Sequence, residues 1–266
     1  MNQPTLPDSE KIRDFVRERY GAIAEQADET CGCTATGCCG GGASTTYGEK
    51  LGYSAAELAA APAGADLGLG CGNPLAIASI QPGETVLDLG SGAGFDCFLA
   101  ARQLTGTGRV IGVDMTAAMV SKARANARKG TYANVEFRLS EIEALPVADA
   151  TVDLIMSNCV INLSPEKARV FAEAFRVLKP GGRLAIADVV VTKPLPVELR
   201  KKLSAIGACI GGATLVGELR ALLAAAGFAR IDIVPKESSR AYVAQWTDDT
   251  AAGEYVVSAL ITAYKP

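Results

Sequence analysis

With 266 residues, 49% of them hydrophobic, the chain is long enough for one full α/β core and a small appended segment. A net charge of −3 supplies no basic face, so neither nucleic acid nor an acidic membrane surface is an expected partner, and the expected ligand is small. Eight cysteines and no histidine exclude imidazole-based triads, proton shuttles and histidine zinc-water sites, and leave sulfur chemistry open.

Residues 1–21 are charged and lack the apolar stretch of a secretion signal, and no apolar run is long enough to span a bilayer. The expected location is therefore the cytoplasm, where thiols stay reduced. A charged helix is predicted over 10–25. It is followed by CGCTATGCCGGGA, a glycine-rich run carrying Cys31, Cys33, Cys38 and Cys39 that stays flexible unless something ligates it. AAELAAAP then reads as a short helix capped by Ser54, with Glu57 completing a capping box.

From Thr85 onward, short apolar runs alternate with helical patterns: TVLDL, GFDCFLAARQL, RVIGVD, AAMVSKARANARK and NVEFRL read as βαβαβ. TVDLIMSN, a helix over 165–178, a KPGG turn and the run GRLAIADVVV continue the pattern of buried parallel strands. VGELRALLAAAGF reads as a helix stopped at Gly227, and ARIDIV and EYVVSALITAYKP as two late strands forming an antiparallel edge. The predicted fold is a doubly wound, mostly parallel α/β sheet. Three segments are expected: a helical, Cys/Gly-rich one (1–73), a cofactor-binding core (74–190) and a sheet-completing one (191–266).

VLDLGSGAGFD places Gly90, Gly92 and Gly94 between a predicted strand and a predicted helix, where backbone can approach a ligand closely. Asp88, just before the turn, is unfavourable beside a diphosphate but suits the ammonium of an amino acid. Asp114 ends the next strand, where an acid accepts from ribose hydroxyls. The spacing G-x-G-x-G also departs from the G-x-G-x-x-G of dinucleotide binders. In order, DLGSGAG, VIGVDM, LSEIEALPVADATVDLIMSN and RVLKPGGRLAIAD resemble the class I methyltransferases. That resemblance implies S-adenosylmethionine as cofactor, with Gly90, Ser91 and Gly92 at its methionine part, Asp114 and Met115 at ribose and adenine, Ile142 and Glu143 at the adenine edge, and Asn158 closing the pocket.

Cys97, inside a helix, reads as a buried and inert thiol. Cys159 directly follows the fourth strand and so faces the crevice outside the strand ends. GCGNP, DLGSGAGFDCF, SNCVINLSPEKARVFAEAFRVLKPGGRLAIADVV, ACIGGA and YVVSALITAYKP together resemble the arsenite methyltransferases from Tyr20 onward. The resemblance implies that Cys71, Cys159 and Cys209 bind As(III), and that one N-terminal cysteine among Cys31, Cys33, Cys38 and Cys39, with Cys39 taken as the candidate, binds the arsenic or passes it on. It also implies arsenite or methylarsenite as substrate and thioredoxin or a small thiol as reductant. The chain carries Gly68 and Leu69 where some members have aromatic residues. For the N-terminal cysteines the alternatives are a structural zinc site and a flexible redox or unspecialised segment. For the whole protein the alternatives are a carbon or oxygen methyltransferase of the quinone or sterol type, and a non-catalytic thiolate protein that holds As(III).

Overall fold

The computed structural model describes residues 7–29, 47–130, 132–246 and 250–266. Helix α1 (Ser9–Glu29) is followed by α2 (Ala55–Ala60), whose N-cap Ser54 and Glu57 exchange both hydrogen bonds of a capping box. A short helix α3 (Leu75–Ala78) leads into β1 (Thr85–Leu89), α4 (Phe95–Gln103), β2 (Arg109–Asp114), α5 (Ala117–Lys129) and β3 (Val135–Leu139). Then come β4 (Val152–Asn158), α6 (Lys167–Val177), β5 (Leu178–Val191), α7 (Val197–Lys201), α8 (Leu203–Gly207), β6 (Thr214–Leu215), α9 (Val216–Ala225), β7 (Ala229–Lys236), α10 (Arg240–Val243) and β8 (Val256–Tyr264).

The strands form one sheet in the order β3-β2-β1-β4-β5-β8-β7, with β6 beside the end of β5. Strands β1 to β6 pair in parallel, and β8 runs antiparallel to both β5 and β7. The antiparallel strand expected at the C-terminus thus lies one place in from the edge, and β7 closes the sheet. The KPGG segment sits inside β5 as a bulge: Val152 pairs with Leu178 and Leu154 with Arg183, so residues 179–182 loop out opposite a single residue.

Burial explains why these strands lack polar alternation. Val86, Leu154, Met156 and Ala185 pack with Phe98 and Leu104 on one face, and Leu87, Ile155 and Leu184 pack with Phe171 and Leu223 on the other. Helix α6 turns Val170, Phe171, Ala174 and Val177 inward at helical spacing. Gly227 stops α9 with φ +103°, a left-handed geometry that lets Phe228 N–H reach the Leu223 carbonyl at 3.1 Å. Among the described residues no helix is long and apolar enough to cross a membrane. Strand order reverses between β1 and β4, so the crevice outside their carboxyl ends is where this topology places a ligand.

Candidate functional site

A cavity of about 290 Å³ occupies that crevice. Its floor is the turn after β1. Gly90 and Ser91 N–H groups both donate to the Val113 carbonyl, at 2.7 and 3.0 Å, folding the turn back onto β2. Gly90 has φ +69°, and a Cβ there would lie 2.2 Å from the Val160 side chain, so only glycine fits. Gly92 donates its N–H to Asp114 Oδ2 at 3.0 Å, and Thr116 N–H donates to Asp114 Oδ1 at 2.8 Å, which fixes that carboxylate at the cavity wall. Ser91 Oγ is buried with no hydrogen-bond partner among the described residues.

Two acids face the same space. Burial, reinforced by the neighbouring Asp96 carboxylate, holds Asp88 well above the usual carboxylate range, and the Cys97 thiol donates to Asp88 Oδ2 at 3.2 Å. Burial likewise raises Asp96 to about 6, although Tyr53 Oη–H donates to it at 2.6 Å and Asn158 Nδ2 at 3.2 Å. A pair of desolvated carboxyls is stabilised by an incoming cation. Asp88, Gly90, Ser91, Gly92, Asp114, Met115, Ile142, Glu143 and Asn158 all border the cavity. Gly94 does not: a Cβ there would sit 2.7 Å from Phe98 and Phe137, so this glycine serves helix-to-sheet packing under the site. Acids for an ammonium and for ribose hydroxyls, an unpaired serine hydroxyl and apolar walls suit a ligand built from a nucleoside and an amino acid.

The cavity's other end is lined with sulfur. Cys159 begins the loop after β4, its N–H bonded to the Ala187 carbonyl at 2.8 Å, and Cys209 follows α8. Both adopt left-handed backbone, φ +59° and +61°, a conformation rare and costly for a residue with a Cβ. The Cys209 thiol donates to the Cys159 carbonyl at 2.8 Å. Cys71, fully buried and just behind the cavity wall, is pinned through its backbone: its N–H donates to Asn158 Oδ1 at 3.0 Å and its carbonyl accepts from Ser258 Oγ at 2.6 Å and Tyr242 Oη at 3.2 Å. The sulfurs of Cys71 and Cys159 and a carboxylate oxygen of Asp188 all lie within 4.8 Å of one another. Hydrogen bonds with the Cys209 and Cys71 thiols, then burial, hold the Cys159 thiol well above its ordinary range, and burial pushes Cys71 up to about 11. The trio sits in an apolar nest that includes Val189, Ile206 and Val256. Cys97 is fully buried in α4 and turned to Asp88, away from the trio. Cys31, Cys33, Cys38 and Cys39 lie outside the described residues.

A methyltransferase-domain family model matches residues 80–227. An arsenite methyltransferase of Halobacterium salinarum is 51% identical over 97% of this chain and 68% of its own length. The chain belongs to the arsenite methyltransferase family. The human arsenite methyltransferase is 41% identical over 54% of the chain, which spans 40% of that protein's length. The solved structure of an arsenic (III) S-adenosylmethionine methyltransferase from Chlamydomonas reinhardtii superposes with TM-score 0.62 at 32% identity, covering 83% of this chain and 73% of that one.

Within this arsenite methyltransferase chain, several site residues carry no obvious mark in the sequence. Arg13 of α1 pairs with Glu10 of its own helix at 2.7 Å and reaches over the crevice to Glu141 at 3.4 Å, Glu143 at 3.7 Å and, in a direct hydrogen bond, Glu166. Tyr20, also on α1, donates to the Gly207 carbonyl at 3.3 Å, and Tyr20, Tyr47 and Trp246 give the cavity an aromatic wall although Gly68 and Leu69 stand before the first site cysteine. Asp188 is buried in β5, and burial raises its carboxyl to about 6. Its one available signal was an acid inside the apolar run AIADVVV.

Proposed function

We propose that the protein transfers methyl groups from S-adenosylmethionine to As(III) held by the thiolates of Cys71, Cys159 and Cys209. The observation that carries this reading is the gathering of three cysteines, distant in sequence, at one end of a cavity whose other end is lined by Asp88, Asp96 and Asp114. When bound, S-adenosylmethionine supplies an electrophilic methyl on a sulfonium that departs as a neutral thioether. Asp88 and Asp96 hold its ammonium, Ser91 and the Gly90–Gly92 backbone border its methionine part, Asp114 takes the ribose, and Met115, Ile142 and Glu143 meet the adenine.

Arsenite is the substrate, and each thiol exchanges with one of its hydroxyls: an S–As bond forms, an As–O bond breaks, and the thiol proton leaves in water. Three soft donors satisfy As(III) and leave its lone pair free to attack the methyl carbon. Because no proton is removed in that attack, the absence of histidine is no obstacle. Positioning of both partners by fixed backbone, with water displaced from around the cation, supplies the rate. Cys39 is proposed to hand arsenic inward, with a dithiol such as thioredoxin or a small thiol as reductant, in a reducing compartment such as the cytoplasm.

The test is incubation with methyl-labelled S-adenosylmethionine, arsenite and a thiol, comparing the wild type with Cys159→Ser. Label in methylated arsenicals that disappears in the variant is the expected result. Transfer to a carbon or oxygen acceptor that survives the substitution would replace this reading with a quinone-type enzyme. Binding of both ligands without transfer would leave a thiolate protein that only holds arsenic.

A further inference from the structure

As(III) needs three sulfur donors and an unobstructed lone pair, yet the thiol cup contains a fourth donor of a different kind. Asp188 reaches it from β5, with a carboxylate oxygen within 4.8 Å of both the Cys71 and Cys159 sulfurs. Asp188 Oδ1 is engaged, accepting from Asn162 Nδ2 at 2.8 Å and from the Val189 N–H at 2.7 Å. Asp188 Oδ2 is buried and has no hydrogen-bond partner among the described residues, although the residue is only 3% exposed. A buried carboxylate oxygen left unpaired is expensive, and native structures rarely keep one without a use.

We infer that the cup is also a site for a thiophilic divalent cation of the zinc type, held by Cys71, Cys159 and Asp188, with Cys209 as the remaining donor. Zinc and cadmium ions are d¹⁰ centres without directional preference that take four ligands in a tetrahedron and accept thiolate sulfur and carboxylate oxygen together. The donors here are two sulfurs and one oxygen, already gathered, with the Cys209 thiol adjacent at the Cys159 carbonyl. Magnesium and calcium, which demand oxygen shells, are excluded by the same donor set. A cation seated there takes the thiolates that arsenic requires but leaves the Asp88–Asp114 end of the cavity open. It therefore competes with arsenite and not with the cofactor. That competition rests on the proposed arsenic site, whereas the cation site itself does not.

The experiment uses the full chain, reduced, with Cys31, Cys33, Cys38 and Cys39 changed to Ser so that no other thiol cluster binds the probe, and Cd²⁺ as the probe. Cadmium X-ray absorption on this protein is expected to show a mixed shell of sulfur and oxygen, and a shell of sulfur alone overturns the proposal. The cadmium–thiolate absorption band, titrated in Asp188→Asn, is expected to report an affinity at least about tenfold weaker than in the protein that keeps Asp188. Equal cadmium affinity in the two proteins overturns it. The absorption measurement keeps Asp188 in place, so it decides the matter even if the variant does not fold. In the wild type, Zn²⁺ is expected to raise the apparent KM for arsenite and leave kcat alone, and a fall in kcat at unchanged KM refutes the competition. A protein that binds Cd²⁺ but not As(III) would retain this site and sink the arsenic reading instead.

Discussion

Asn158 joins the two halves of the site, and its removal should be felt in both. Its Oδ1 accepts the Cys71 N–H at 3.0 Å, and its Nδ2 faces the Gly72 carbonyl at 2.9 Å, the Tyr53 hydroxyl at 3.0 Å and Asp96 at 3.2 Å. An amide NH₂ has two hydrogens, so at most two of those three donations are full bonds, and the side chain is worth about three bonds in all. At about 1 kcal/mol each, Asn158→Ala is expected to cost about 3 kcal/mol, or a fall in Tm of about 6–12 °C for a chain of this size. Cys71 then loses the partner of its N–H, and Asp96 loses a donor that favours its charged form, so affinities for As(III) and for S-adenosylmethionine both fall. Asn158→Asp separates the two effects. It keeps an acceptor for Cys71 but sets a second acid against Asp96, so As(III) binding recovers more than cofactor stabilisation does. Calorimetric unfolding with separate titrations of the two ligands reads all of this. A Tm drop under about 2 °C in Asn158→Ala, with both affinities within twofold of the wild type, would show that the network does not connect the sites.

Three further outcomes follow from the same geometry. Cys97→Ala should retain arsenic methylation while weakening cofactor binding by about 1 kcal/mol, roughly fivefold, because only the donation to Asp88 at 3.2 Å is lost; abolished transfer would place Cys97 in the reaction. Arg13→Ala leaves the buried Glu143 without its cation and should cost about 3 kcal/mol in urea unfolding and speed cofactor release, whereas an unchanged release rate would mean that α1 does not cover the crevice. Burial lifts Asp96 to about 6 in the folded protein, above its unfolded value, so the folded state holds the extra proton between the two. Stability of the ligand-free protein therefore declines as pH rises from about 4 to 6, by up to about 3 kcal/mol from this group. The decline should be shallower in Asp96→Asn, and parallel profiles for the two proteins would refute the assignment.

Much of this was readable in the chain because the physics concerned is local. Strands buried on both faces show as unbroken apolar runs, and a turn that must bring backbone near a ligand shows as Gly90-Ser91-Gly92. What was hidden depends on partners far away. Arg13 sits on a helix that the sequence marks only by its charge, and only the arrival of Glu141, Glu143 and Glu166 from other segments turns it inward. Gly94 shares a motif with the ligand-facing glycines, yet its space is taken by Phe137 of a strand that comes later. Sequence order also suggests that β8 follows β7 to the sheet margin, whereas β8 inserts beside β5 over nine paired positions and leaves β7 outside.

The backbone at Cys159 and Cys209 shows why the thiols themselves are the point of the design. At φ +59° and +61° a glycine would relax each position by about 1 kcal/mol, and asparagine would be better tolerated than cysteine. Packing does not compensate, since a small buried thiol contributes little that alanine does not, and the Cys209 hydrogen bond goes to a carbonyl that serine could equally reach. Two strained positions that both keep sulfur, 50 residues apart and joined by a direct hydrogen bond, are explained by a ligand that only sulfur holds well. Cys159→Gly should therefore leave a protein at least as stable as Cys159→Ala but without As(III) affinity, and a glycine variant less stable than the alanine one would show that the left-handed backbone is not under strain.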